Sequence, residues 1–179
     1  MTVMKKAQGR APAARLPGGA GSPPADVPIE GNVYLSVTPA RRSVYVGEPV
    51  PVEVALWSRF QIANGGWAAP PTFDGFWSEK VFDADRFDFQ RRTVNGKVFA
   101  VTTFKKAVLI PLSPDANTIK PMSFNVAIPQ TPRDFFDFGT TQNLKIESKP
   151  VALQELPLPE AGRPKVFTGG VGQFTMRAT

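Results

Sequence analysis

From Asn32 onward this chain alternates apolar and polar residues in short runs, and nowhere do its apolar residues recur at helical spacing. Val33, Leu35 and Val37 alternate with Tyr34, Ser36 and Thr38. Val50, Val52, Val54 and Leu56 alternate with Pro51, Glu53, Ala55 and Trp57. A period of two puts successive side chains on opposite faces of an extended backbone, so each run describes a strand buried on one side only. The 15 glycines and 19 prolines break these runs too often for long helices to form. Such a chain is left with antiparallel sheet, layered face to face.

The remaining segments follow the same rule. Pro39-Ala-Arg-Arg turns the first strand into Ser43–Val46. Arg59 to Trp77 contains Gly65-Gly66, Pro70-Pro71 and Gly75, and reads as a long loop with one short extended piece. A strand is expected around Arg86 to Val94. Asn95-Gly96 follows it, and both residues tolerate the positive φ that a two-residue type I′ hairpin turn requires. The return strand, Lys97 to Ile110, is long. Val98, Ala100 and Thr102 point one way and Phe99, Val101 and Thr103 the other, with a bulge expected near Lys105-Lys106 where the alternation falters. Beyond the turn cluster at Pro111–Asn117, Met122, Phe124, Val126 and Ile128 oppose Ile119, Pro121, Ser123, Asn125 and Ala127. The last strand runs from about Asn143 to Leu153, with Leu144, Ile146, Val151 and Leu153 as core candidates and Pro150 marking an edge or a bend. The expectation is an all-β protein, an antiparallel immunoglobulin-like β-sandwich of about seven or eight strands.

Composition divides the chain. Residues 1–30 are rich in Ala, Gly and Pro with few bulky apolar side chains, so they are read as a disordered linker. Residues 31–155 carry the sandwich. Residues 156–179 open on the stiff spacer Leu156-Pro-Leu-Pro-Glu160, continue through Val166, Phe167, Val171 and Phe174, and read as a proline linker followed by the first strand of a missing downstream domain. The net charge of +6 is concentrated at the front, where Lys5, Lys6, Arg10 and Arg15 all precede the first acid, Asp26. That tail has no aromatic residue and reads as a solvated linker, with no nucleic-acid partner expected. No apolar run approaches the roughly 20 residues that span a bilayer. Met1-Thr-Val-Met-Lys-Lys6 leads into Ala-Gln-Gly-Arg10 and not into the apolar core of a signal peptide.

Chemistry is scarce. The chain has no histidine and no cysteine, which removes the commonest general base, the commonest metal ligand and every thiolate site. No serine sits in a Ser-x-x-Lys pattern. Asp83-Ala-Asp85 and Asp88 offer oxygen atoms of the kind calcium takes, but the glycine turn and distal glutamate of an EF-hand are missing. The plainer reading is an acidic turn beside Arg86, Arg91 and Arg92. Gly169-Gly170 and Gly172 lack the helix and lysine that make a phosphate loop. No catalytic residue, cofactor or metal is therefore assigned, and the chain is read as a non-enzyme. Aromatic groups are the remaining signal. Trp67, Phe73, Phe76 and Trp77 form one, and Phe135, Phe136 and Phe138 another. The candidate partner-binding residues are Trp67, Phe76, Trp77, Phe135 and Phe136, because large rings anchor protein interfaces and stack on sugars; the competing reading is that some of these rings plug the core.

An ordered set of segments resembles the BatD family of bacterial oxygen-tolerance (aerotolerance) proteins. The set comprises Val44-Tyr-Val-Gly-Glu-Pro-Val50, Phe73-Asp-Gly-Phe-Trp77, Val94-Asn-Gly-Lys97, Ala107-Val-Leu-Ile-Pro-Leu112 and Ile119-Lys-Pro-Met122, and closes on the linker from Leu156 to Phe174. The resemblance implies an inner β-sandwich domain, with flanking linkers, of a large membrane-anchored parent whose domains face the periplasm or cell envelope. It also implies assembly with adjacent domains of that parent, with MoxR-type ATPases and with von Willebrand factor A-domain proteins. It brings no catalytic residues. The alternative is a carbohydrate-binding or adhesive sandwich that uses Trp67 and Trp77 together, which requires both indoles exposed on one face.

Overall fold

A computed structural model describes residues 30–113, 117–130 and 140–158, together with Val166 and Thr175. In chain order the strands are β1 (Val33–Pro39), β2 (Ser43–Tyr45), β3 (Val50–Ser58), β4 (Asn64–Trp67), β5 (Phe76–Asp83) and β6 (Gln90–Val94). They continue with β7 (Lys97–Pro111), β8 (Thr118–Ile119), β9 (Ser123–Pro129), β10 (Thr141–Glu147), β11 (Val151–Ala152) and β12 (Gln154–Leu156). One sheet runs β1-β3-β7, with β5 and β6 end to end along the far edge of β7. The facing sheet runs β10-β9-β4. This is the strand arrangement of an immunoglobulin constant-type sandwich, a four-position sheet against a three-position one.

The twelve segments include fragments of longer strands. The final strand expected from Asn143 to Leu153 is divided into β10 and β11, with Pro150 in the break between them, and β12 follows beyond its expected end. β12 lies parallel to β2, with Gln154 opposite Ser43 and Leu156 opposite Tyr45. This departs from an all-antiparallel arrangement, and it carries the sandwich one residue past the expected boundary at 155. β5 is an addition to the sequence reading, which began the next strand only near Arg86. Residues 77–83 are exposed along an edge, so burial imposes no alternation on them. The Asn95-Gly96 turn is as expected, with φ of 50° and 73°.

The core follows from the alternation. Val50, Val52, Val54 and Leu56 of β3 face Phe124, Val126 and Ile128 of β9, and all seven are at most 2% exposed. β7 contributes Thr102, Phe104, Ala107 and Leu109. Its bulge is one residue earlier than expected: Val54 pairs with Lys105 and Ala55 with Thr103, leaving Phe104 as the extra residue. Phe104, in phase with Thr102, faces inward and meets Phe124 across the sandwich at a ring separation of 4.9 Å. Ile119, grouped in the sequence with the outward residues of the following strand, is buried as well. It belongs to β8, which pairs with β11 and has its own phase. Buried hydroxyls are satisfied locally. Ser58 Oγ donates to the Phe60 carbonyl and accepts from its N–H, Thr102 Oγ1 accepts from Asp88 N–H, and Ser148 Oγ accepts from Met122 N–H.

The expected disordered linker over residues 1–30, apart from Glu30, lies outside the described residues. So does the terminal segment beyond Leu158, apart from Val166 and Thr175.

Gly65 in β4 is closely packed against its neighbour strand β9 and the ring of Phe87. A Cβ there would sit 2.8 Å from Phe124 Cε1 and 3.2 Å from both Phe87 Cε2 and the Asn125 carbonyl oxygen. Neighbouring Gly66 has nothing within 4 Å. Gly65→Ala should cost about 1–3 kcal/mol through overpacking and lower the thermal midpoint by roughly 3–12 °C, with Gly66→Ala close to neutral. Circular dichroism melts of the two variants make the comparison, and equal midpoints would show that Gly65 is not sterically clamped.

Candidate interaction surface

The outer face of the larger sheet carries two apolar groups. Near one end, Tyr34, Trp57, Phe99 and Val101 form a small cluster with Ala55. Tyr34 stacks on Trp57 at 5.7 Å with planes 10° apart, and Phe99 meets both rings edge-on. Trp57 Nε1 donates to Ser36 Oγ at 2.9 Å. Each of these rings is buried or half-buried and engaged with the others, so the group acts as a second, small core.

Towards the other end the apolar residues are open. Trp77 of β5 pairs with Ile110 of β7, Glu79 with Val108, and Phe82 with Lys106. These pairs share the outward face. Trp77 is 49% exposed and Phe82 43%, while Val108 and Ile110 between them are half-buried. Leu112, just past the strand end, is 64% exposed. The strip ends on charge, where Lys106 pairs with Glu53 on the same face. On the opposite face of the same edge, Asp83 accepts from Lys105 Nζ at 2.9 Å with Lys80 Nζ 3.8 Å away. An apolar strip with a charged border has the anatomy of a protein-binding patch.

Local sequence explains how Trp77 comes to point outward. Phe73-Asp-Gly-Phe76 is a β-turn, closed by Phe76 N–H donating to the Phe73 carbonyl at 3.0 Å, with Gly75 at a φ of 84°. The turn delivers Phe76 into the core, 7% exposed, so its successor faces solvent. Lys80 and the extra residue Val81, which shifts the register of β5 on β7, break the regularity of the edge. Both devices discourage edge-to-edge strand pairing, leaving the face of the sheet as the surface available for docking.

The candidate residues therefore separate. Trp77 is on the open strip. Phe76 is in the core. Trp67 is half-buried and directed inward, with its ring 5.2 Å from Phe104 and 5.3 Å from Phe124. The two indoles do not share a face, which is the arrangement the carbohydrate-binding alternative needs. Phe135 and Phe136, with Phe138, lie outside the described residues. Phe82, Val108 and Ile110 are missed by sequence reasoning because their adjacency depends on the pairing of β5 with β7. Among the described residues no group of acidic side chains is placed to hold a metal ion, and no helix is long and apolar enough to cross a membrane. Comparison of the chain with protein-family models, with curated proteins and with solved structures finds no match.

The turn beneath the strip is pinned by charge. Lys120 Nζ donates to Asp74 Oδ2 at 2.7 Å, and this hydrogen bond, reinforced by the lysine's charge, holds the Asp74 carboxyl below the usual carboxylate range. A depressed folded-state pKa stabilises the turn above the unfolded pKa, and that contribution fades as pH falls through the folded value. In an NMR titration Asp74 should ionise at lower pH than an ordinary aspartate, and Lys120→Met should return it to the normal range. An unchanged Asp74 titration in that variant would rule out the pairing as the cause.

Proposed function

We propose that this chain is a non-enzymatic protein–protein interaction module of a BatD-like cell-envelope protein, acting on the periplasmic or envelope face of a membrane-anchored parent. The observation that carries the reading is the open strip of Trp77, Ile110, Val108 and Phe82 on the larger sheet. A half-exposed tryptophan set among aliphatic residues, with the Lys106–Glu53 ion pair at the border, suits a buried anchor in a protein interface. Support also comes from the ordered motifs shared with that family, two of which, Phe73–Trp77 and Ala107–Leu112, form the strip's own end. The absence of histidine and cysteine from the sequence agrees with a binding role. The partners proposed are the adjacent domains of the parent and a von Willebrand factor A-domain protein working with a MoxR-type ATPase, and oxygen tolerance is the proposed physiological context.

The test is calorimetric titration of the chain with a von Willebrand factor A-domain protein of the kind encoded beside BatD-family genes. Binding should be weakened about thirtyfold or more by Trp77→Ala and left unchanged by Thr118→Ala, at an exposed position on β8. Absence of binding by the intact chain would reject this partner. Equal affinities for the intact chain and Trp77→Ala would reject the strip.

A further inference from the structure

The opposite end of the sandwich has a different character. β6 and the start of β7 form a hairpin whose tip extends past the end of β3: Ala100 pairs with Ser58, the last residue of β3, so Lys97, Val98 and Phe99 have no partner there. At the tip, Val94 pairs with Lys97 and Thr93 with Val98, which places Val94 on one face of the hairpin and Val98 on the other. Val94 is 40% exposed and Val98 54%. The cations follow the same plan, with exposed Arg92 and Lys97 on the face of Val94 and exposed Arg91 on the face of Val98. Exposed Arg59 lies at this end too, where its Nη1 donates to Asn32 Oδ1 at 3.0 Å. Asn32 immediately precedes β1, so the described fold begins at this end.

We propose that the β6–β7 hairpin tip inserts into the headgroup region of an anionic lipid bilayer, with Val94 and Val98 at the hydrocarbon boundary and Arg92 and Lys97 among the phosphates. A protein partner docking on one side asks for apolar side chains on that side alone. A valine on each face at the same height, with cations behind them, suits a medium that surrounds the tip. Aliphatic side chains at the apex favour lipid over nucleic acid, whose single strands bind through exposed aromatic rings; the nearest ring, Phe99, is buried against Tyr34 and Trp57. Charge supplies the long-range attraction, and the short apolar apex supplies a shallow, reversible anchor. This surface is separate from the Trp77 strip, at the other end of the sheet, and either assignment stands without the other.

Because the chain contains no cysteine, Val98→Cys or Val94→Cys accepts a single environment-sensitive nitrobenzoxadiazole label in the full-length protein. Vesicles of equimolar phosphatidylglycerol and phosphatidylcholine should shift the emission of either label to the blue. Phosphatidylcholine vesicles alone should not, and a label at Thr118→Cys should stay unmoved. Arg92→Glu with Lys97→Glu should weaken vesicle binding about tenfold or more, with an unchanged circular dichroism spectrum. A blue shift that survives this charge reversal, or no shift at all, overturns the proposal. So does complete loss of binding when only Lys5, Lys6, Arg10 and Arg15 are replaced by Gln, since the tail would then be the lipid ligand. Displacement of the vesicles by a short DNA duplex at matched salt would reassign the pole to nucleic acid.

Discussion

The contact between Phe104 and Phe124 joins the two sheets, and β7, which carries Phe104, contains one residue more than its partner. Without the bulge, the alternation of β7 would be continuous from Lys97 to Pro111. Thr102 and Ala107 are an odd number of positions apart, so they could not both face inward. The bulge resolves the conflict: Thr102 and Phe104 share one inward phase, and Ala107 and Leu109 are returned to the interior after it. Trp67, Phe87 and Phe124 surround Phe104 at ring separations of 4.9–5.9 Å. Lys105, opposite Asp83 of β5, brings its ammonium to that carboxylate. A single insertion thus serves packing and surface charge together.

The same strand links the molecule's two exposed regions. The first part of β7 pairs with β6 and forms the basic tip, while its last part pairs with β5 and supports Trp77. Between them, the Tyr34–Trp57–Phe99 cluster covers the outer face with rings that are already engaged with one another. Open apolar surface is therefore confined to the ends of the sheet, and a broad face that would invite nonspecific association is avoided.

How much was legible from sequence depended on burial. β1, β3 and β9 have one face in the core and one in solvent, so they wrote their period into the residues. Asn95-Gly96 marked its own turn because a hairpin with positive φ selects those residues. β5 left no such trace. Glu79, Lys80, Val81 and Phe82 are all exposed, and a strand without a buried face has no reason to alternate. The bulge was placed one residue late because Lys105-Lys106 looks like the irregularity, whereas the displaced side chain is the phenylalanine before them. Trp67 and Trp77 were indistinguishable as candidates. Which indole faces inward is decided by the pairing of Trp67 with Phe124 of β9 and of Trp77 with Ile110 of β7, partners distant in sequence, and local pattern carries no record of that.

The parallel pair of β2 and β12 has a mechanical meaning. Ser43 lies opposite Gln154 and Tyr45 opposite Leu156, so a strand near the entry of the chain runs alongside one near its exit, in the same direction. Tension applied along the chain draws β2 back toward the amino terminus and β12 forward toward the carboxyl terminus. Their shared hydrogen bonds, including Gln154 N–H to the Arg42 carbonyl and Ser43 Oγ to Gln154 Oε1, are then loaded side by side in shear and cannot be opened one at a time. A domain closed in this way resists extension by a force applied at its two ends.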